Sequence, residues 1–160
     1  MAAKREAKQE GRKEREFKNR RAFHEYHVLE KVDAGIVLVG SEVKSIREGN
    51  INLSDSYARV GDGEVFLVNF HISEYKNAGA FGHEPLRKRK LLLHRAEIRK
   101  LEKKVEMKGL TLVPLRLFFN ARGIVKVELG VCRGKQVHDK REAMKERDSD
   151  RDLRREISKY

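Results

Sequence analysis

Histidines and cations carry whatever chemistry this chain has. His24-Glu25-Tyr26-His27 sets two imidazoles three residues apart around a carboxylate, which superficially matches the ligand set of a zinc hydrolase. That motif needs a spacing of four. At three, the imidazoles diverge on a helix and point to opposite faces of a strand, so no metal site is expected. Cys132 is the single cysteine; it excludes an intramolecular disulfide and a multi-cysteine zinc site, and it fits a reducing compartment. The chain has no Walker-type loop, no Gly-x-Ser-x-Gly and no Cys/His nucleophile pair in one segment. Its six histidines leave a small basic ribonuclease as one alternative, yet imidazoles on a basic RNA-binding surface more often stack or hydrogen-bond. No catalytic residue and no cofactor is expected.

The cations point to a partner instead. A net charge of +12 and a pI near 9.9, with 39% of residues charged, favour a polyanion. Residues 1–21 hold nine Lys/Arg against four Glu, and residues 133–160 hold ten against seven acids. The apolar residues that can bury a core lie between. The expected organisation is a basic extension over 1–18, disordered or transiently helical, a globular domain over 19–132, and a basic tail over 133–160. No stretch has the length of a membrane span or a signal h-region, so a cytoplasmic, membrane-free protein is expected.

Strands dominate the middle. Phe23, Tyr26, Val28 and Val32 partly alternate with polar residues over 23–32, and 36–39 is a β-branched run ended by Gly40. Ser41 can cap a short helix that Gly49 stops; Val43 and Ile46 share its buried face, with Lys44 and Arg47 on the neighbouring one. Residues 57–60 and 65–69 flank Gly61-Asp62-Gly63 as a hairpin, and 110–119 and 124–131 flank Asn120-Ala121-Arg122-Gly123 as a second. Between them, 71–90 reads as a long functional loop closed by the cations Arg87-Lys88-Arg89-Lys90. Ile98, Leu101 and Val105 make one stripe of a helix over 95–108, stopped by Gly109. Five or six strands with one late helix imply a closed or nearly closed antiparallel barrel, with a sandwich still open. Behind Cys132 the apolar residues are too scattered to hold a helix against a core, although 143–157 has helix-forming composition.

Four motifs occur in order. They are Asn19-Arg20-Arg21-Ala22 before Tyr26; Gly35-Ile36-Val37-Leu38-Val39-Gly40-Ser41-Glu42-Val43-Lys44-Ser45-Ile46-Arg47 with Asn52-Leu53-Ser54-Asp55-Ser56-Tyr57; Arg89-Lys90-Leu91-Leu92-Leu93-His94; and Gly134-Lys135-Gln136-Val137-His138-Asp139-Lys140-Arg141. Spanning residues 19–141, they resemble the SsrA-binding protein family (small protein B, SmpB). The resemblance implies a mainly β fold with helices: an OB-like closed antiparallel β-barrel of about six strands, flanked by short helices, with basic N- and C-terminal tails. It implies binding to the tRNA-like domain of transfer-messenger RNA (tmRNA), a stand-in for the missing anticodon arm, and delivery with elongation factor Tu and GTP to stalled ribosomes in trans-translation. By motif match the RNA-binding positions are Asn19, Arg20, Tyr26, Asp33, Lys44, Arg47, Asn52 and Lys126. His138, Asp139, Lys140 and Arg141 are the implied contacts with the small-subunit decoding centre and mRNA channel, in a tail that is disordered when free and helical on the ribosome. Asp33 stands where the family commonly has Glu, which retracts the carboxylate by one methylene. A monomer is expected. Composition alone fits a generic ribosomal or translation-factor RNA-binding module equally well.

Overall fold

The computed structural model describes residues 15–157. In chain order they form β1 (Glu16–Lys18), α1 (Arg20–Glu25), β2 (Tyr26–Ile36), α2 (Gly40–Glu48), β3 (Ile51–Asn52), β4 (Tyr57–Gly61), β5 (Glu64–Val68), β6 (His71–Ile72), β7 (Arg89–Leu92), α3 (Arg95–Lys108), β8 (Thr111–Phe119), β9 (Val125–Gly134) and α4 (Val137–Ile157).

Antiparallel pairing leads from β4 through β5, β7, β2 and β9 to β8, and β8 returns to β4 at the Leu112–Ala58 pair. Six strands thus pair in a ring. β1 lies along β8 from Glu16 opposite Phe118 to Lys18 opposite Arg116, covering backbone that β4 leaves unpaired. Alternation puts Ala34, Ile36, Val65, Leu67, Leu91, Val127 and Leu129 inside, where Ile46 of α2 and Ile98 and Leu101 of α3 join them. A second, smaller core holds Ala22, Val113, Leu115 and Cys132, packed against Tyr26 and Val28. Both faces of β8 are buried, Leu112 and Leu117 in the first core and Val113 and Leu115 in the second, with a register shift between Pro114 and Arg116. Gly130 lets this happen: a Cβ there would stand 2.9 Å from Cys132 Sγ and 3.0 Å from the Leu115 methyls. Burial pushes the Cys132 thiol up to about 11, so it is inert as a nucleophile.

Several boundaries differ from the sequence reading. The strand expected over 23–32 opens instead as α1, because Asn19 Oδ1 accepts from Ala22 N–H at 3.2 Å and caps a helical turn. β2 then continues through Ile36, and 37–39 leaves the sheet after Val37 N–H donates to Lys90 O at 2.9 Å. Ser41 does not cap α2. The Val39 N–H is held by the Glu42 carboxylate at 2.9 Å, and the Ser41 hydroxyl is bonded to His83. Within 71–90 the structure has β6, a 3-10 turn at Gly79–Phe81 and the start of β7. Residues 16–18, assigned by sequence to the extension, form β1, and residues 1–14 of that extension lie outside the described residues. α4 occupies most of the tail, with no buried residue among the described ones. Among the described residues no helix is long and apolar enough to cross a membrane, and no cluster of His, Cys, Asp and Glu could hold a metal.

Candidate nucleic-acid interface

α2 divides its faces by chemistry. Ile46 is fully buried and Val43 half-buried, whereas Lys44 and Arg47 are exposed. Gly49 ends the helix at φ 84°, a conformation other residues resist, and its N–H bonds to Ile46 O at 3.0 Å. Glu42, on the inner side, is fully buried as well. Its carboxylate accepts from Arg87 Nη2 at 2.7 Å and from Arg89 Nε at 2.8 Å, besides the Val39 N–H. Arg89, equally buried, donates to the carbonyls of Phe70, Arg87 and Pro85 and lies 5.2 Å from the Phe70 ring centroid. Burial opposes the charged form of Glu42, but Arg87, the Val39 N–H and Arg89 together outweigh it and hold the carboxyl below its ordinary value. The pair is therefore ionised.

This brace takes part of the run Arg87-Lys88-Arg89-Lys90, which closes the loop, out of solvent. Two of the four cations are tied to Glu42, Lys90 pairs with Glu64, and Lys88 alone is left exposed without an ion pair among the described residues. The loop from 73 to 88 runs back along α2. Ser45 Oγ donates to Ser73 O at 2.7 Å, Lys44 Nζ sits 5.3 Å from the Tyr75 ring centroid, and buried His83 bridges Ser41 Oγ at 2.9 Å and Ile72 O at 3.1 Å. A carbonyl only accepts, so His83 Nε2 carries a proton and donates it in the bond to Ile72 O.

Beside α2, an open cleft of about 430 Å³ is lined by residues of β1, the start of α1 and β3, among them Lys18, Arg20 and Asn52. Asn19 forms its floor rather than its lip. It is 2% exposed, both Nδ2 hydrogens go to the carbonyls of Leu53 and Pro114 at 3.0 Å, and Oδ1 caps α1. Its amide is fully engaged inside the protein, and its Oδ1 caps the helical turn that begins at Arg20. Asn52 turns its Oδ1 onto Ser54 N–H at 2.8 Å and remains exposed.

Lys18 and Glu16 are shared with the outer face of the ring. There Lys18–Glu16, Glu16–Arg116, Arg116–Glu128 and Glu128–Lys31 alternate in sign at 2.9 to 3.7 Å. Lys18 and Arg116 hold the Glu16 carboxyl below its ordinary value. Asp33 and Lys126 lie on this face, opposite Glu128 and Gly35 respectively, and the empty side of Gly35 is overhung by exposed Leu92.

The remaining predicted positions gather at the root of α4. Tyr26 pairs with Gly134, and Lys135 N–H donates to Glu25 O at 2.8 Å while its ammonium reaches Phe23 O at 3.2 Å. Asp139 accepts from His27 Nε2 at 3.3 Å; that imidazole, then the Gln136 N–H, keeps its carboxyl below the ordinary value. His138 is exposed and 3.1 Å from Glu142, and Arg141 is exposed.

A family model described as SmpB protein matches residues 16–159. The SsrA-binding protein of Sulfurihydrogenibium sp. (strain YO3AOP1) is 57% identical over 141 residues, 88% of this chain and 90% of the relative. That of Desulfitobacterium hafniense (strain Y51) is 55% identical over 137 residues, 86% and 87%. A solved structure described as "tmRNA-SmpB: a journey to the center of the bacterial ribosome" contains a chain 52% identical to this one, with a TM-score of 0.65 over 76% of this chain and 85% of that one. The chain belongs to the SmpB family.

The SmpB match starts where β1 starts, at residue 16, ahead of the motif that opens at Asn19. Glu16-Phe17-Lys18 does alternate, but three residues are too few to signal a strand. Glu42 and Arg89 were missed for another reason: a carboxylate in a polar helix and an arginine in a run of cations read as solvated until the two segments are packed together.

Proposed function

We propose that this chain binds tmRNA, the SsrA RNA for which its relatives are named, and brings it to bacterial ribosomes in trans-translation. The observation that carries the reading is membership of the SmpB family across residues 16–159. The surface agrees with it: α2 presents Lys44 and Arg47 from a rigidly held helix, beside a cleft rimmed by Arg20 and Asn52. The ring of strands is an OB-like barrel and forms the RNA-binding domain, which with β1 and the end of β9 spans 16–134, between basic N- and C-terminal extensions. Lys44, Arg47 and Lys126 neutralise phosphates or donate to 2′-hydroxyls; Arg20, Tyr26, Asp33 and Asn52 hydrogen-bond or stack, with Asn19 behind them.

The tail is the second functional part. It is disordered in solution and helical in the mRNA channel, where His138 stacks on an exposed base, Lys140 and Arg141 meet phosphates, and Asp139 completes the decoding-centre contact. The protein acts as a cytoplasmic monomer and reaches elongation factor Tu and GTP through the charged RNA. Binding and positioning suffice for this role, so no catalytic group is assigned.

A titration with the tRNA-like domain at several salt concentrations, with bulk ribosomal RNA as competitor, tests the first part. Competition at parity would return the chain to a generic RNA-binding module. Replacing His138, Lys140 and Arg141 by Ala tests the second: tmRNA binding should persist while tagging of nascent chains on ribosomes stalled without downstream message is lost.

A further inference from the structure

We propose that the loop over 73–88 is a braced docking loop whose Phe81 stacks on an unpaired nucleobase of RNA, a reading that rests on the RNA-binding function above. Phe81 is 89% exposed, more than any other large hydrophobic residue among the described residues. A lone exposed aromatic on a slack loop would mean little, but this loop is held at several points. Ser73 is fixed to Ser45 and Asn50, His83 is buried between Ser41 and Ile72, and Arg87 is locked to buried Glu42. Between those anchors Phe81 N–H closes a turn on Ala78 O at 3.1 Å, and Gly79 supplies the left-handed conformation, φ 55°, that the turn requires. His83 is turned inward only two residues away. The backbone therefore fixes an apolar ring in water, in a segment that four buried or half-buried partners keep from collapsing over it.

The surroundings specify what covers the ring. The same loop exposes Lys76 and Lys88, and it packs Tyr75 against Lys44, which connects it to the cationic face of α2. A flat apolar ring held rigidly among cations matches a splayed base with its flanking phosphates. A protein partner would gain from the ring but would have to accommodate the cations. Because the anchors exist before binding, little ordering entropy opposes the contact.

The sequence contains no tryptophan, so Phe81→Trp places a single reporter at the site. It should be titrated with the tRNA-like domain of tmRNA and, separately, with purified small ribosomal subunits. Stacking predicts fluorescence quenching with one of the two. On that same RNA, Phe81→Ala and Phe81→Leu should weaken binding about five- to hundredfold, in line with about 1–3 kcal/mol per stacked base, while Phe81→Tyr stays within about threefold. Circular dichroism should show every variant folded, because the ring supports no packing. A blue shift in place of quenching marks a protein surface and overturns the proposal, as does unchanged fluorescence at saturation or full affinity in Phe81→Ala. Failure of the unmodified chain to bind either RNA would instead overturn the function on which the inference rests.

Discussion

Around α2 charged side chains are taken out of water and closed on one another, whereas at the root of α4 they stay in it. Glu42 and Arg89 are both fully buried, and each polar atom of the brace has a partner. His27 and Asp139 remain roughly half and two-fifths exposed at 3.3 Å. Solvent and salt screen the second arrangement and hardly reach the first. The chain thus fixes the surface that the proposed function gives to RNA, and leaves its tail attached by contacts that a stronger partner can replace.

The sharpest way to break this contrast is to remove one half of the brace. Glu42→Gln leaves Arg89 buried without its counter-charge and should cost about 3–5 kcal/mol in chemical denaturation. The pH dependence has a definite sign. The folded carboxyl lies below its ordinary value of 4.5, so its contribution is complete above that value and is lost as the pH falls through the depressed one. The acid limb of the stability curve should therefore flatten in the variant. A loss below 1 kcal/mol with an unchanged acid limb would mean that the brace is dispensable.

The next effect concerns what the brace supports. Neutralising Lys44, Arg47 or Lys126 should flatten the slope of log affinity against log salt by about 0.7 to 0.9 each, and all three by about 2 to 3. Circular dichroism should remain native, since these side chains are not in the core. An unchanged slope with weaker affinity would assign them to folding or base contacts.

Removing α4 should do less to tmRNA binding than either change. A chain ending after Gln136 keeps the Lys135 contacts and, among the described residues, loses none that is buried. Its affinity for the tRNA-like domain should fall within tenfold of the full chain, about 1.4 kcal/mol. A loss of several hundredfold would make the tail part of the primary interface.

Much of this division can be read from the residues. The apolar stripe at 98, 101 and 105 and the stop at Gly109 define α3 as found, and alternation in 125–131 puts Val125, Val127 and Leu129 inside and Lys126 and Glu128 outward. Lys44 and Arg47 stand exposed as the spacing of α2 requires. What escapes such reading depends on contacts between distant segments. Nothing local distinguishes Arg89, which is buried, from Lys88, which is exposed. Asn19 carries the first motif, yet its amide is engaged by carbonyls 34 and 95 residues away. Phe23 and Tyr26 fit a strand until the cap on Ala22 makes a helix of the first and a junction of the second.

The smallest effect tests the solvent-exposed side of the contrast. Asp139 holds the first turn of α4 twice, through His27 and through the Gln136 N–H at 3.3 Å, yet it lies in water, where solvent screens such contacts. Asp139→Asn should leave the midpoint of chemical denaturation unchanged, because no buried group loses a partner. Its effect should be local: faster amide hydrogen exchange over residues 136–140, with the strands of the ring as protected as before. The unmodified protein should reproduce that change in acid. Its Asp139 carboxyl lies below the ordinary 3.8, so the tether persists above that value and loosens as the pH falls through the depressed one. High salt should loosen it too, as it should not loosen Glu42–Arg89. If exchange at 136–140 ignores both the substitution and salt, His27–Asp139 does not hold the tail, and the backbone bond from Lys135 N–H to Glu25 O carries the attachment alone.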